Sequence, residues 1–173
     1  MKHNKLLRAT YFFLAFLTVA VSVSCSKDKD KEPASNDGIE GTWELVSYTY
    51  DGNLYGFDEP VLVTIEGADI NNVRVTFNSD GTVTGNGTSF NLIITSKDNP
   101  DEPFGFPTTM FEEEGLWEIE GNTLYITEFL TEERTSVPIA TLNATTLRLS
   151  GNVAVNHENG DEATVDVRFT RSN

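Results

Sequence analysis

From residue 39 onward, apolar and polar positions alternate with a period of two, broken at intervals by Gly, Asn, Asp and Pro. That is the pattern of antiparallel strands with one buried face. No stretch of about ten residues carries a 3.6-residue period, so the pattern predicts little helix. It predicts strands over 42–50, 61–66, 73–78, 82–84, 88–95, 115–120, 123–128, 134–142, 146–155 and 163–171. Some eight to ten short, closely spaced strands fit an antiparallel up-and-down meander closed into a barrel, or a sandwich.

Turn chemistry supports the hairpins, because a one-residue slip turns every side chain to the wrong face. With Gly121-Asn122 as a two-residue turn, Ile119 faces Leu124 and Trp117 faces Ile126. A loop over Ser79-Asp80-Gly81 with Gly81 left-handed sets Phe77 opposite Val83. A three-residue loop over Asn143-Ala144-Thr145 sets Ile139 opposite Leu149. An odd-length loop around Asn159-Gly160 predicts Val155 opposite Val165 and Val153 opposite Val167.

Ahead of residue 39 the pattern changes. Residues 1–8 carry Lys2, Lys5 and Arg8 without an acid, and 9–23 are almost wholly apolar. A basic start followed by an apolar run of about 15 residues is the secretory-signal pattern, short for a helix that must cross a bilayer. Ser22-Val23-Ser24-Cys25 then resembles the bacterial lipoprotein box, although Ser22 stands where that family usually carries Leu. The resemblance implies a signal peptide over 1–24 and a lipidated Cys25, with outer-membrane anchoring on the periplasmic face or at the cell surface. Several acyl chains at about 0.8 kcal/mol per buried methylene hold such a cysteine stably in a bilayer. Residues 26–38, SKDKDKEPASNDG, offer no aromatic or β-branched side chain and read as a disordered tether. Their start also resembles the export tag of Bacteroidetes surface lipoproteins. The folded domain is expected over 39–173.

Charge and composition narrow the function. The chain has 173 residues with 27 acids against 12 bases, a net charge of −15, and loss of the three leader cations takes it to −18. Nucleic acid is not an expected partner, because phosphate contacts need clustered Lys and Arg. One cysteine excludes a disulfide framework and any multi-thiolate zinc site. His157 is the single histidine after the leader and reads as a solvated turn residue. Glu112-Glu113-Glu114 and the group Asp98, Asp101 and Glu102 read as solvated loop charges without EF-hand spacing. Gly85-Asn86-Gly87 reads as a bulge between strands, not a phosphate loop. No cofactor, metal or catalytic residue is assigned, and an enzyme is not expected.

Two ends of the domain carry a second resemblance. Gly41-Thr42-Trp43 opens the first strand, and the last strand places Val165, Val167, Phe169 and Arg171 on one face. A G-x-W opening with a late basic residue resembles the lipocalin and fatty-acid-binding barrels. The order of parts is closest to lipocalin-like lipoproteins of Bacteroidetes: Gly41-Thr42-Trp43, then Ser79-Asp80-Gly81, then Gly121-Asn122 and Asn143-Ala144-Thr145. The resemblance implies an all-β lipocalin-like barrel in which Trp43 and Arg171 close one end. It also implies a small apolar or amphipathic ligand inside, lined by Phe77, Trp117, Ile119 and Leu124, with Phe104 or Phe106 near the opening. No helical lid and no inward pair of charges for a carboxylate is evident. Residues 96–110 read as a long loop, either capping the mouth or finishing the core, and 51–57 as a second rim with Tyr55 and Phe57. The competing expectation is a packed barrel acting as an interaction or scaffold module of a cell-envelope or glycan-capture complex.

Overall fold

The computed structural model describes residues 38–55, 59–110, 114–129, 134–156 and 161–172. The leader, Cys25, residues 26–37 of the tether, Phe57, Phe111, Glu112, Glu113, His157 and the turn at Asn159 and Gly160 lie outside the described residues. Eleven strands follow in order: β1 (Gly41–Leu54), β2 (Val61–Ala68), β3 (Arg74–Phe77), β4 (Thr82–Gly85), β5 (Ser89–Ser96), β6 (Phe104–Thr109), β7 (Gly115–Glu120), β8 (Thr123–Glu128), β9 (Arg134–Leu142), β10 (Thr146–Asn156) and β11 (Asp161–Arg171).

These eleven segments are eight staves. β1 holds β11 along one edge, while its other edge carries β3 beside Gly41–Glu44 and β2 beside Thr49–Leu54. β2 and β3 are therefore two halves of one interrupted strand. β5 and β4 form the next stave, pairing with β2 and β3 respectively, and β6 and β7 the one after. The β5–β6 and β4–β7 ladders share one register, with Ser89 opposite Thr109 and Thr82 opposite Leu116. β8, β9, β10 and β11 complete an up-and-down meander, and the β1–β11 ladder closes it. The fold is an all-β, closed antiparallel barrel of eight strands.

Alternation explains the wall. Along β11, Ala163, Val165, Val167 and Phe169 are buried, while Glu162, Thr164, Arg168 and Thr170 are exposed. β1 breaks this rule at Val46, which bulges between Leu45 and Ser47 and stands 52% exposed. Trp43 and Leu45 face inward before it, Tyr48 and Tyr50 after it, so the bulge reverses the phase of the strand. At the same level β2 gives way to β3 through residues 69–73, where Leu45 N–H donates to the Val73 carbonyl. Asp69 and Asn72 both have positive φ there. Asn86, in the break between β4 and β5, accepts from the Arg74 N–H and donates to the Asn72 carbonyl. A line of irregularities thus crosses the first three staves and divides the barrel into two levels.

Three expectations need correction. Residues 104–109 are a strand and not part of a loop, because Phe104, Phe106 and Thr108 take the face of Ile94, Leu92 and Phe90 on β5. Gly105 and Pro107 disguise it, and Pro107 is tolerated because β6 is paired along one edge only among the described residues. The β10–β11 hairpin pairs Val165 with Gly151 and Val153 with Ala163. That differs from the expected register by four residues, and an even slip keeps every side chain on its face, so alternation cannot detect it. Ile139 does stand opposite Leu149, but Leu142 lies opposite Leu147 and the register shifts between Arg148 and Leu149. The Ile119–Leu124, Trp117–Ile126 and Phe77–Val83 pairs are as expected.

Candidate functional site: the interior of the barrel

One end is shut. The chain arrives there through Gly38–Glu40, and the turns at 78–81, 121–122 and 143–145 surround it. Trp43 is fully buried and its indole N–H donates to the Ile39 carbonyl at 2.6 Å. Arg171, directly opposite Trp43 in the β1–β11 ladder, lays its guanidinium 4.2 Å from the ring centroid. The same group donates to the carbonyls of Ala144, Glu40 and Gly38 at 2.7–2.8 Å. Gly41 makes this possible. Its φ is +116°, and a Cβ there would stand 2.7 Å from Arg171 Nη1. One guanidinium thus ties the start of the domain, the last hairpin and the final strand.

Phe77, Trp117 and Leu124 pack just inside this floor. Phe77 and Trp117 meet edge to face with centroids 5.8 Å apart, and the Trp117 indole donates to the Asn78 carbonyl. Leu124 is buried beside them and Ile119, opposite it, is partly buried. The structure places all four in the closed level.

Among the described residues the other level is uncovered on one side. β2, β5 and β6 extend the wall beyond β3, β4 and β7, and β10, β11 and β1 rise with them. Among the described residues nothing pairs with the second edge of β6, and the β9–β10 ladder ends at Ile139 and Leu149. The wall is therefore tall along β10–β11–β1–β2–β5–β6 and low along β7–β9. Leu54, Val61, Phe106, Ile126 and Val137 face inward yet are only partly buried. Phe104, on the same face of β6, is 55% exposed. Together these residues present partly uncovered apolar surface on the inward face of the wall.

Polar handles inside are few. No charged residue is buried among the described residues. Tyr50 lies beneath the open end and donates its hydroxyl to the Asn53 carbonyl at 2.7 Å, reaching past Gly52. Tyr48 faces inward opposite Val167 and beside Gly67, where a Cβ would stand 2.8 Å from Ile70 Cδ1 and 3.2 Å from the Tyr48 Cβ. Burial pushes the Tyr48 phenol up to about 12. It also raises that of Tyr50, helped by the neighbouring Tyr48, Tyr55 and Asp51. Neither tyrosine was legible as an inward residue, because the Val46 bulge reverses the phase that Trp43 sets.

The outer surface holds the charges. Asp166 accepts from Arg148, Arg168 and Ser150, and the Arg148 hydrogen bonds hold its carboxyl below the usual range. Lys97 binds Asp51 at 2.7 Å and lowers its carboxyl likewise. Arg134 lies over Tyr125 and pairs with Glu118 and Glu120. Asp98, Asp101 and Glu102 are exposed between β5 and β6, and Glu114 is exposed ahead of β7. The described residues hold no cluster of three metal-ligating side chains. Gly87 has positive φ in the break between β4 and β5.

A family model described as a lipocalin-like domain matches residues 39–149. No curated protein and no solved structure matches the chain.

Proposed function

The chain belongs to the family of lipocalin-like domains, and from that premise we propose that it is a non-enzymatic carrier of a small apolar or amphipathic molecule held in the open level of the barrel. The observation that carries this reading is the partial exposure of inward Leu54, Val61, Phe106 and Ile126 beside a floor whose Trp43 is fully buried. Covering such surface contributes about 25 cal/mol per Å². A ligand hiding a few hundred Å² of apolar wall gains several kcal/mol, from which the cost of its immobilisation is subtracted.

The same reading places the protein on the outer membrane through a lipidated Cys25, which lies outside the described residues. The domain begins at the floor, beside Arg171. A tether from Cys25 would thus join the barrel at its closed end. Mass spectrometry of detergent-extracted protein tests this: a chain beginning at an acylated Cys25 supports it, and an unmodified cysteine contradicts it.

Native mass spectrometry of protein purified from its own cells tests the carrier. The expected spectrum shows the domain plus one small molecule, released by organic solvent. A bare domain that also takes up no neutral apolar dye contradicts it. A scaffold role is the second reading, favoured by the exposure of Leu116 and Phe129 at 46% and 49% near the low side of the wall. A bare domain that co-purifies with a protein partner would support that reading instead.

A further inference from the structure

The interior discriminates by what it lacks. Six cationic side chains lie beyond residue 37, and every one is committed elsewhere. Arg74 pairs with Glu44, Lys97 with Asp51, Arg134 with Glu118, and Arg148 and Arg168 with Asp166. Arg171 is spent on three carbonyls and the Trp43 ring at the floor. Among the described residues an anionic head group drawn into the lumen would meet no free counter-charge, and leaving a carboxylate unpaired in an apolar site is costly.

The interior's own hydrogen-bonding groups divide in the same way. Trp43, Trp117 and Tyr50 each donate to a backbone carbonyl. Tyr48 does not: its hydroxyl has no hydrogen-bond partner among the described residues. Yet it faces inward at the level where the closed ring gives way to the open one, between Val167 on β11 and Gly67 on β2. A hydroxyl in that position offers one donor and two acceptor lone pairs to whatever enters. At neutral pH the phenol carries its proton, as an ordinary tyrosine does, and burial only raises its value further.

Resting on the carrier reading, we propose that the barrel selects a neutral amphipathic ligand, an apolar body with a hydroxyl or carbonyl group, over the corresponding carboxylate, and that Tyr48 makes the polar contact. The apolar body lies along the tall wall, against Phe106, Leu54 and Val61, and the polar group reaches down to the phenol.

Competition against the neutral dye N-phenyl-1-naphthylamine, with decanol and decanoate as competitors at about pH 7.5, tests this, since decanoate is then ionised. Decanol is expected to compete at least about tenfold better than decanoate. Tyr48→Phe is expected to weaken decanol about three- to tenfold, as befits one neutral hydrogen bond, and to leave the dye's own affinity within about twofold. Equal or tighter binding of decanoate overturns the proposal while leaving the carrier intact. So does a Tyr48→Phe variant that keeps full affinity for decanol, or one that loses decanol and dye alike. If the dye itself fails to bind, the carrier reading falls and this selectivity with it.

Discussion

The two levels of this barrel are built from the same meander but solve opposite problems. At the floor, eight short ladders close completely, and the polar atoms that face inward are matched to backbone carbonyls by Trp43, Trp117 and Arg171. At the open level six strands rise, the edges of β6 and of β10 beyond Leu149 have no partner among the described residues, and inward aromatic side chains keep part of their surface. The floor spends its residues on stability. The open level leaves apolar surface uncovered, which on the carrier reading is the access a ligand needs. The boundary is a row of local defects, the Val46 bulge and the breaks at 69–73 and 86–88, which offset β1–β2 from β1–β3 and β2–β5 from β3–β4.

The largest losses of stability are expected from substitutions in the floor. Trp43→Ala is expected to cost about 3–5 kcal/mol in urea unfolding, since a fully buried indole is removed. Gly41→Ala should cost about 1–3 kcal/mol through its φ alone, and more through collision with Arg171. Arg171→Met removes a cation–π contact worth about 0.5–2 kcal/mol and leaves three carbonyls without their donor. None of the three touches the open wall. A floor variant that folds should still bind dye.

Next comes a matched pair of phenylalanines. Phe77→Ala in the floor is expected to cost about 3–5 kcal/mol, and Phe106→Ala in the open wall about 1–2 kcal/mol. Dye binding should move the other way, surviving in folded Phe77→Ala and falling several-fold in Phe106→Ala. Equal stability losses at the two sites would erase the contrast between levels.

A finer comparison sets two tyrosines side by side. Tyr50→Phe strips a donor from the Asn53 carbonyl and should cost about 1 kcal/mol. Tyr48→Phe removes a hydroxyl that has no hydrogen-bond partner among the described residues and should leave stability within about 0.5 kcal/mol. Both phenols have raised values in the fold, so their contribution is complete below the unfolded value near about 10. It is lost as the pH rises further, and thermal melts above about pH 10 should show the decline, reduced in Tyr50→Phe.

The smallest effect lies outside the barrel. Asp166 is held below the ordinary carboxylate range, chiefly by its hydrogen bonds from Arg148. Its contribution is therefore present above about pH 4 and fades as the pH falls through the folded value. Asp166→Asn should flatten the acid limb of a stability–pH curve slightly and leave dye binding unchanged.

How much of this could be read in advance follows from what side-chain alternation records. It reports which face a residue takes, so the hairpins at Ser79-Asp80-Gly81 and Gly121-Asn122 and the all-β class were legible. It is blind to even slips, which hid the true β10–β11 register. It also fails wherever one residue is inserted, and the Val46 bulge concealed Tyr48 and Tyr50 for that reason. β6 was hidden differently: Phe104-Gly105-Phe106-Pro107 has the composition of a loop, and its strand character comes from the neighbouring β5 and not from its own propensity. Trp43 and Arg171 could be named from the resemblance, but the reason for Gly41, a backbone that must leave room for a guanidinium, needed coordinates.

The most direct test is amide chemical-shift mapping of the protein titrated with a neutral apolar probe. Perturbations are expected along the C-terminal half of β1, β2, β5 and β6 that saturate together, with the amides around Trp43, Asn78 and Arg171 unmoved. Shifts centred on those floor amides, or confined to outward positions such as Leu116, would contradict it.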